Sequence, residues 1–529
     1  MDPAVDTPLL VERLDRSKFE PDHYITIPAS DSTSFFPSWG SQATTHNNSL
    51  RFRNPWPSWH TPTRAEVWEH LQWGEDQDTT IQLATSHLDT LPTPPQPPPD
   101  KRPRFGDVNN WPNSIGAKAS RLLGIQEPDF SFGPLSQNAR AKVTWLGHAS
   151  MLVQFPPLDT TKSNARPIRC LFDPMFSMRC SPNQSAGPIR SYPPPCSVEA
   201  LPTIDAVFIS HNHYDHLDYD TIMAIWKQNK DVVRFFVPMG NKKLFIEYGI
   251  RESQVTEMDW WECATLVPQI SSIPSKKLKV WCTPAQHSSS RFGVGNNATL
   301  WSSWYLECCN PDPAQTPYRV FVAGDTGYQF HASPSWPPSP NTDTQERKST
   351  IDEPDETFPA CPAFAEISER IGAPNLLLMP IWVGATFSYL RSLVPFPDWM
   401  SPFPRHAVGL AAANHMPPWD AVKVMKLMTD RKAESPPLQN REGNGPGENR
   451  PPIAIAMHWG TFVTDPVEVF KTLGQLEWAC KQQGVRFARS LPGSKSDGGG
   501  DGVVAEEPHG GSSQEPYFLA LNHGQSVYT

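Results

Sequence analysis

The sequence predicts a domain of the α/β (α+β) class that carries long insertions. Short apolar runs recur along the chain between a few helical patterns, and proline-rich stretches separate them. Runs of this length and composition are typical of strands that are buried on both faces. With 529 residues, of which 59 are proline, the chain fits one large domain with insertions better than several small domains.

The predicted strands share one property, which is that most of them end at a polar residue able to bind a metal ion. KVTWLGHASMLVQF and the following IRCLFDP are predicted to be paired strands, the second of which ends at Pro174. Four further apolar runs are too short to be helices. The strand predictions cover residues 142–155, 168–174, 204–210, 278–284, 318–325 and 453–459.

Two stretches predict helices. In DPVEVFKTLGQLEWACKQQG, Asp465 is the predicted N-cap, Pro466 takes the first helical position, Glu468 completes a capping-box pattern and Gly484 ends the helix. WDAVKVMKLMTD, residues 419–430, predicts a second helix whose Met and Leu residues suit core packing.

Composition also suggests how the chain is divided. Segments too polar or too rich in proline to bury apolar surface stay unstructured, because burial does not offset the entropy lost on ordering. The predicted units are a disordered arm at 1–48, an N-terminal extension with a Pro-rich linker at 49–140, a main domain at 141–490 with inserts near 332–358 and 431–452, a low-complexity insert at 491–515, and a C-terminal strand at 516–529.

The charge of the chain indicates which classes of partner it can bind, and its cysteine content indicates its cellular compartment. The 45 basic and 55 acidic residues give a net charge of −10, which argues against a nucleic-acid partner. Nine cysteines without a C-x-x-C pair predict free thiols in a reducing compartment. Acidic residues stand where a signal peptide needs basic ones, and no apolar run approaches the roughly 20 residues of a spanning helix. We therefore expect a cytoplasmic protein without a transmembrane segment; its oligomeric state stays open.

The densest chemical signal is SHNHYDHLD, residues 210–218, with three histidines and two aspartates. His211 and His213 lie two residues apart, so in an extended backbone their rings project to one side. Asp215 and His216 follow where the chain turns and point elsewhere. One stretch can therefore serve two neighbouring cations.

Each cation needs at least one further protein ligand, and the ends of other strands supply candidates. A carboxylate can bridge two cations through its separate oxygens. A single histidine at a strand end is more often ordinary structure, but this many candidates at four strand ends favour a site. We assign His211, His213 and His287 to one ion, Asp215, His216 and His458 to the other, and Asp325 to both.

These residues resemble the H-x-H-x-D-H signature of the metallo-β-lactamase superfamily. Within it the chain is similar to the family of N-acylphosphatidylethanolamine-hydrolysing phospholipase D and its fungal relatives. The similar segments follow the family's order from about residue 50 to the C-terminus, and NPWPSW and AMHWGTF favour the phospholipase branch. They are FRNPWPSW, TWLGHASMLVQF, LFDPMFS, SHNHYDHLD, TPAQHSSSR, FVAGDTGY, AMHWGTF and FLALNHGQS.

The resemblance implies an αββα sandwich with a dinuclear site at one edge, two zinc ions per chain, and the ligands assigned above. It also implies that Asp173 orients a metal-bound histidine; the alternative is a turn residue before Pro174. His148 could reach the mouth of the site, with a packed core histidine as the alternative. His415 matches a family histidine that could contact phosphate, with a role at the start of a helix as the alternative.

The implied reaction is hydrolysis of N-acylphosphatidylethanolamine to an N-acylethanolamine and phosphatidate, with Asp215, Asp325 and His415 as catalytic residues. Zinc would make water available as a nucleophile near neutral pH. The partner would be phospholipid at a membrane surface.

Tryptophans such as Trp56, Trp59 and Trp399 could sit at the membrane interface, although packing is the commoner use of such residues. After PIWVGA the chain departs from the family, because a longer apolar segment, TFSYLRSLVPFPDWMSPFPRH, intervenes. Headgroup and acyl-chain preference are therefore open.

Two alternatives remain beside the phospholipase. One is a soluble hydrolase of the same fold that acts on another phosphodiester or a lactone. The other, from a different class, is an inactive metal-binding scaffold whose unstructured arms recruit partners. The complete ligand set argues against the scaffold. The sequence leaves open whether iron or manganese replaces zinc in the cell.

Overall fold

The computed structural model describes most of the chain outside the low-complexity segments. The described residues are 9–17, 22–27, 49–74, 76, 78–89, 115–132, 140–158, 165–268, 276–290, 297–310, 312, 315–333, 358–382, 401–430, 450–463, 465–491 and 515–529. The predicted linker at 91–103 lies outside these ranges. So do most of the inserts near 332–358, 431–452 and 491–515, and Trp399.

Strands are numbered in chain order. They are β1 Leu9–Asp15, β2 Tyr24–Ile27, β3 Ser49–Phe52, β4 Leu71–Gln72, β5 Lys142–Trp145, β6 Met151–Phe155, β7 Ile168–Phe172, β8 Ala206–Phe208, β9 Arg234–Pro238, β10 Val255–Met258, β11 Cys263–Pro268, β12 Lys277–Thr283, β13 Ser303–Cys309, β14 Tyr318–Val322, β15 Leu376–Pro380, β16 Arg405–His406, β17 Ile453–Met457, β18 Arg486–Ala488, β19 Tyr517–Leu519 and β20 Ser526–Tyr528.

The helices are numbered in the same way. They are α1 Arg64–Glu69, α2 Ile81–Ser86, α3 Ile115–Leu122, α4 Tyr219–Gln228, α5 Lys242–Glu247, α6 Ala363–Ile371, α7 Pro418–Thr429 and α8 Val467–Gln483. In the described part of the chain, none of these helices is long and apolar enough to span a bilayer.

Most strands belong to two large sheets. The first has the order β1-β11-β12-β13-β14-β15-β17-β19-β18 and is antiparallel from β1 to β14 and parallel beyond. The second has the order β10-β9-β8-β7-β6-β5-β20, parallel from β10 to β7 and antiparallel from β7 to β20. Two short pairs, β16 with β4 and β2 with β3, complete the described strands.

The two sheets pack face to face around a shared aromatic core. The rings of Phe208 in β8 and Trp304 in β13 meet edge to face at 5.5 Å, and Trp304 Nε1 donates to Ile209 O at 3.2 Å. Burying an aromatic side chain of this size contributes about 1.5–3 kcal/mol. The inner faces of both sheets therefore form one continuous core.

Helices cover the outer faces of the sandwich. Ile222 and Ile225 of α4 and Phe245 of α5 pack on the outer face of the seven-stranded sheet. On the other side α7 packs against β15, with α6 and α8 beside it. The predicted class and the αββα sandwich are thus confirmed.

The prediction that residues 1–48 form a disordered arm is wrong for two segments. β1 runs antiparallel to β11, with Leu9 opposite Pro268 and Asp15 opposite Cys263, and forms the edge of the nine-stranded sheet. β2 pairs with β3. The apolar side chains of LLVERLD become buried or partly buried only when this segment pairs with β11. Composition alone does not predict pairing between segments so far apart in the sequence. The nine-stranded sheet therefore begins well before the predicted boundary at residue 141.

Two further strand predictions need correction. Residues 142–155 form two strands, β5 and β6, because the turn at residues 146–150 reverses the chain. The predicted C-terminal strand at 516–529 is also two strands, and they lie in different sheets. Gly524 N donates to Trp145 O at 2.6 Å where the chain crosses from one sheet to the other.

The helix predictions and the cysteine prediction agree with the structure in most respects. α8 begins one residue later than predicted, since Pro466 is the capping residue, but Asp465 Oδ1 still accepts a hydrogen bond from Val467 N at 2.9 Å. Gly484 ends α8 in the left-handed conformation, as predicted. All nine cysteines lie in described segments and are free thiols.

Candidate metal centre

The ends of several strands meet at one edge of the sandwich. β12, β14 and β17 run in the same direction, so the residues after them, which include His287, Asp325 and His458, emerge together. In the other sheet β7 and β8 are parallel, and they lead into Asp173 and His211. The strand pattern read from the sequence thus brings distant side chains to a common edge.

The first group of metal-capable side chains consists of His211, His213, His287 and Asp325. Their ligand atoms all lie within 4.8 Å of one another. His213 Nδ1 is 2.8 Å from His211 Nε2 and 3.3 Å from His287 Nε2. Asp325 Oδ2 is 3.9 Å from His211 Nε2 and 3.8 Å from His287 Nε2.

The second group consists of His148, Asp215, His216 and His458, within the same 4.8 Å limit. Asp215 Oδ2 is 3.1 Å from His148 Nε2, 3.8 Å from His216 Nε2 and 4.0 Å from His458 Nε2. Asp325 also touches this group, since its Oδ2 is 3.1 Å from His216 Nε2 and its Oδ1 is 3.0 Å from His458 Nε2. Burial, followed by the neighbouring His458, lowers the pKa of His148 to about 3.

His415 joins this arrangement from the segment before α7. It forms a third group with Asp325 and His458, and its Nδ1 is 3.7 Å from Asp325 Oδ2. The side chain of His415 is 15% exposed, whereas that of Asp325 is fully buried. All the candidate residues singled out in the sequence therefore lie in one cluster, with His415 on its more accessible side.

The residues fit a pair of cations because several of their polar atoms are buried without a hydrogen-bond partner among the described residues. These atoms are Asp325 Oδ1 and Oδ2, His216 Nε2 and His458 Nε2; each nitrogen lies 3.0–3.1 Å from an Asp325 oxygen as an ion pair but forms no hydrogen bond. A buried carboxylate costs several kcal/mol unless an opposite charge or a metal compensates it. Imidazole nitrogen and carboxylate oxygen are common zinc ligands. Asp325 lies within reach of both groups of side chains.

The outward-facing nitrogens of the rings are held by the protein, so that the other nitrogens face inward. His213 Nε2 is 3.2 Å from Ser290 O, and His287 Nδ1 is 3.0 Å from Asn414 O. Because each of these carbonyls can only accept, the ring nitrogen donates, and the opposite nitrogen keeps its lone pair for a metal.

Asp173 contacts two of the candidate ligands, one directly and one through Ser210. Its Oδ2 is 2.8 Å from His216 Nδ1 and accepts from Ser210 Oγ at 2.6 Å, while its Oδ1 accepts from Ser210 N at 2.7 Å. Ser210 Oγ lies 2.9 Å from His211 Nδ1. One carboxylate therefore fixes His216 directly and His211 through the Ser210 hydroxyl.

Burial disfavours the charged form of every titratable side chain in this cluster. Neighbouring charges then determine whether each pKa is raised or lowered. Burial and then His216 lower the pKa of His211 well below its ordinary value. Burial also acts to lower the pKa of His216, but the carboxylates of Asp325 and Asp173 outweigh it and raise that pKa well above its ordinary value. Burial alone would raise the pKa of Asp325; His216 and His458 hold it well below its ordinary value. Asp325 is thus ionised and able to bind a cation.

Sequence reasoning missed several residues that hold this cluster in place. Asn54 Nδ2 donates to His287 O at 2.7 Å, and Asn54 Oδ1 accepts from His287 N at 3.1 Å. Asn54 lies in FRNPWPSW, so the resemblance of that segment was a signal that could have identified it. Ser290 and Asn414 act through backbone carbonyls, for which a sequence has no signal.

Trp56, one of the tryptophans considered for membrane contact, is used in packing. Its ring stacks on Trp260 at 5.4 Å, and the side chain is half-buried against the core. Trp59 is also partly buried.

Comparison with known proteins places the fold and the site in a family. Residues 168–333 match the family model described as "Beta-lactamase superfamily domain". The chain is 36% identical over 330 residues to the N-acyl-phosphatidylethanolamine-hydrolyzing phospholipase D 1 of Caenorhabditis elegans, which covers 62% of this chain and 66% of that protein.

Two other relatives match at lower sequence identity. The N-acyl-phosphatidylethanolamine-hydrolyzing phospholipase D, mitochondrial, of Saccharomyces cerevisiae is 31% identical over 186 residues, or 35% of this chain and 34% of that protein. An uncharacterized protein of Mycobacterium tuberculosis is 29% identical over 359 residues, which cover 68% of this chain and 69% of that protein.

The sandwich and its edge cluster of histidines and aspartates define a member of the metallo-β-lactamase superfamily. Within that superfamily the chain belongs to the family of the N-acyl-phosphatidylethanolamine-hydrolyzing phospholipases D. Family and cluster together support a metal-dependent hydrolase with a dinuclear site.

Proposed function

We propose that the protein is a dinuclear zinc phosphodiesterase that hydrolyses N-acylphosphatidylethanolamine to an N-acylethanolamine and phosphatidate. The observation that carries this proposal is the position of Asp325, whose two buried oxygens lie between two groups of inward-facing histidines. The names of the worm and yeast relatives supply the substrate class.

In this proposal the residues would hold two zinc ions with the ligands assigned from the sequence. Asp325 would serve both ions. When bound, zinc makes water available as a nucleophile at neutral pH and offsets the negative charge that develops on the phosphoryl group. His211, His213 and His287 would hold one ion, and Asp215, His216 and His458 would hold the other.

Two further histidines have supporting roles in this proposal, one in contact with the substrate and one in contact with a metal ligand. His415, whose side chain is 15% exposed beside Asp325, would donate a hydrogen bond to a phosphate oxygen. His148 Nε2, 3.1 Å from Asp215 Oδ2, keeps that carboxylate in orientation. In the balanced reaction water adds at phosphorus, the bond from phosphorus to the ethanolamine oxygen breaks, and that oxygen takes up the proton.

The substrate would arrive from a membrane surface on the cytoplasmic side. Tyr214 lies between the ligand candidates His213 and Asp215, and its side chain is 39% exposed. Amphipathic rings of this kind are well suited to the boundary between headgroups and acyl chains. An exposed tyrosine beside the metal centre thus supports a phospholipid substrate.

The experiment compares hydrolysis of N-acylphosphatidylethanolamine in vesicles with hydrolysis of a soluble phosphodiester. Wild type should contain about two zinc ions per chain and release N-acylethanolamine from vesicles. His213→Ala should abolish the release, whereas His87→Ala, which changes a half-exposed histidine paired with Glu477, should leave it unchanged.

Each other outcome favours a different function. Activity on the soluble substrate alone would favour the general hydrolase, and a zinc content near zero would favour the scaffold. Activity that survives His213→Ala would refute the proposal.

A further inference from the structure

His148 and His458 share an unusual backbone conformation. Their φ angles are +48° and +59°, in the left-handed region that residues with a side chain seldom adopt. His458 N donates to His148 O at 2.9 Å, and the two ring centroids are 4.2 Å apart. The conformation of one histidine is therefore coupled to that of the other.

Thr461 supplies the acceptor that holds the first of these histidines. His148 N donates to Thr461 Oγ1 at 2.6 Å, and Trp145 Nε1 donates to His148 O at 2.8 Å, so both backbone polar groups of His148 are bonded. Thr461 lies in AMHWGTF, three residues after His458. The turn after β17 thus carries both the candidate ligand His458 and the Thr461 hydroxyl that restrains His148.

Thr461 is itself fixed from three sides. It is fully buried, its N–H donates to Trp459 O at 2.8 Å, and its carbonyl accepts from Ser191 N at 2.7 Å. Its Oγ1 also lies 2.9 Å from Nε2 of His523, a buried residue between β19 and β20. These contacts leave the hydroxyl little freedom to rotate.

We propose that Thr461 is a positioning residue of the metal centre. Its hydroxyl holds His148 in the left-handed conformation, and the bond between the two histidines then keeps His458 Nε2 3.0 Å from Asp325 Oδ1. Without the hydroxyl, the turn at His148 relaxes toward an ordinary conformation and the ring of His458 moves with it. The inference rests on the proposed function, since it concerns ligands of the second ion.

The experiment measures bound zinc per chain at graded free zinc in the full-length protein. Thr461→Val removes the hydroxyl at constant shape, and Thr461→Ser retains it. The matched control is Thr144→Val, because Thr144 is also fully buried and its hydroxyl is 2.7 Å from Ser526 Oγ, which is not a histidine contact. Thermal midpoints in chelator report whether each variant folds.

We expect Thr461→Val to bind the second zinc ion about 10- to 100-fold more weakly, as is typical when a group that orients a ligand is lost. Thr461→Ser should restore the affinity, and Thr144→Val should match wild type. Affinity of Thr461→Val within twofold of wild type, or no rescue by serine, would overturn the proposal. So would failure of the valine variant to fold while the serine variant folds, since the hydroxyl would then serve the fold rather than the site.

The same experiment separates this inference from the proposed function. A wild type that binds two ions but releases no N-acylethanolamine contradicts the proposed substrate and leaves the affinity comparison valid. A wild type that binds no zinc overturns both.

Discussion

Replacing Asp173 by asparagine reverses the polarity of the group that faces His216. In the wild type Asp173 Oδ2 accepts from His216 Nδ1 at 2.8 Å and from Ser210 Oγ at 2.6 Å. The asparagine oxygen can retain the bond from Ser210 N, which places its NH₂ group toward His216. The imidazole must then carry its proton on Nε2, and a protonated Nε2 cannot bind a cation.

The size of the effect follows from the bonds that are lost. A hydrogen bond to a charged group contributes about 1.5–3 kcal/mol, which corresponds to about 10- to 150-fold in Kd. We expect zinc at the ion held by His216 to bind more weakly by this factor. The ion assigned to His211, His213 and His287 should be affected less, because the outer nitrogens of His213 and His287 face backbone carbonyls and only His211 depends on Asp173, through the Ser210 hydroxyl.

The assay is a zinc titration against a chromophoric chelator, combined with thermal unfolding. Asp205→Asn is the control, because Asp205 is another fully buried carboxylate, bound by Arg166 at 2.7 and 2.8 Å immediately before β8, at the opposite end of that strand from the candidate ligand His211. Breaking that buried ion pair should cost about 3–5 kcal/mol of stability and leave both zinc ions bound. Two tightly bound zinc ions in Asp173→Asn would refute the reasoning.

Three further predictions concern backbone contact, pH and metal. A Cβ on Gly327 would lie 2.0 Å from the Ala413 carbonyl, so Gly327→Ala should displace the segment that binds His287 Nδ1 and weaken zinc affinity, as a zinc titration will show. Burial, followed by Lys471, lowers the pKa of His406 to about 4. Between pH 6.5 and 4 the unfolded chain thus binds a proton that the folded chain rejects, so the free energy of unfolding should decrease by up to about 1.4 kcal/mol per pH unit as pH falls. Denaturant titrations should show this slope reduced in His406→Gln. Dialysis against a chelator should lower stability by about 2.7 kcal/mol for each zinc ion removed, relative to protein in zinc at 100 times Kd, and an unchanged thermal midpoint would contradict a bound metal.

The convergence of strand ends could be predicted because it depends on local pattern. Short apolar runs that finish at His287, Asp325 and His458 indicate buried parallel strands, and the carboxyl ends of such strands share one edge of a sheet. The helix at Asp465 to Gly484 could be predicted for the same reason, since its start and end signals lie within the helix itself.

What the sequence did not reveal depends on contacts between distant segments. LLVERLD reads as part of a polar arm, and only pairing with β11 makes it a strand. The hydrogen bonds from Asn54 to His287 and from His148 to Thr461 join residues 233 and 313 positions apart. No local periodicity reports such contacts, so the orientation of the rings could not be worked out from spacing.

The two short strands β19 and β20 complete the two large sheets. β19 lies between β17 and β18, and β20 closes the edge of the other sheet beside β5. A nascent chain that lacks them exposes two unpaired strand edges, one of them on the strand that leads into His458. Pairing of β19 and β20 therefore closes both sheets, and without it each sheet would offer an open edge to strands of other chains.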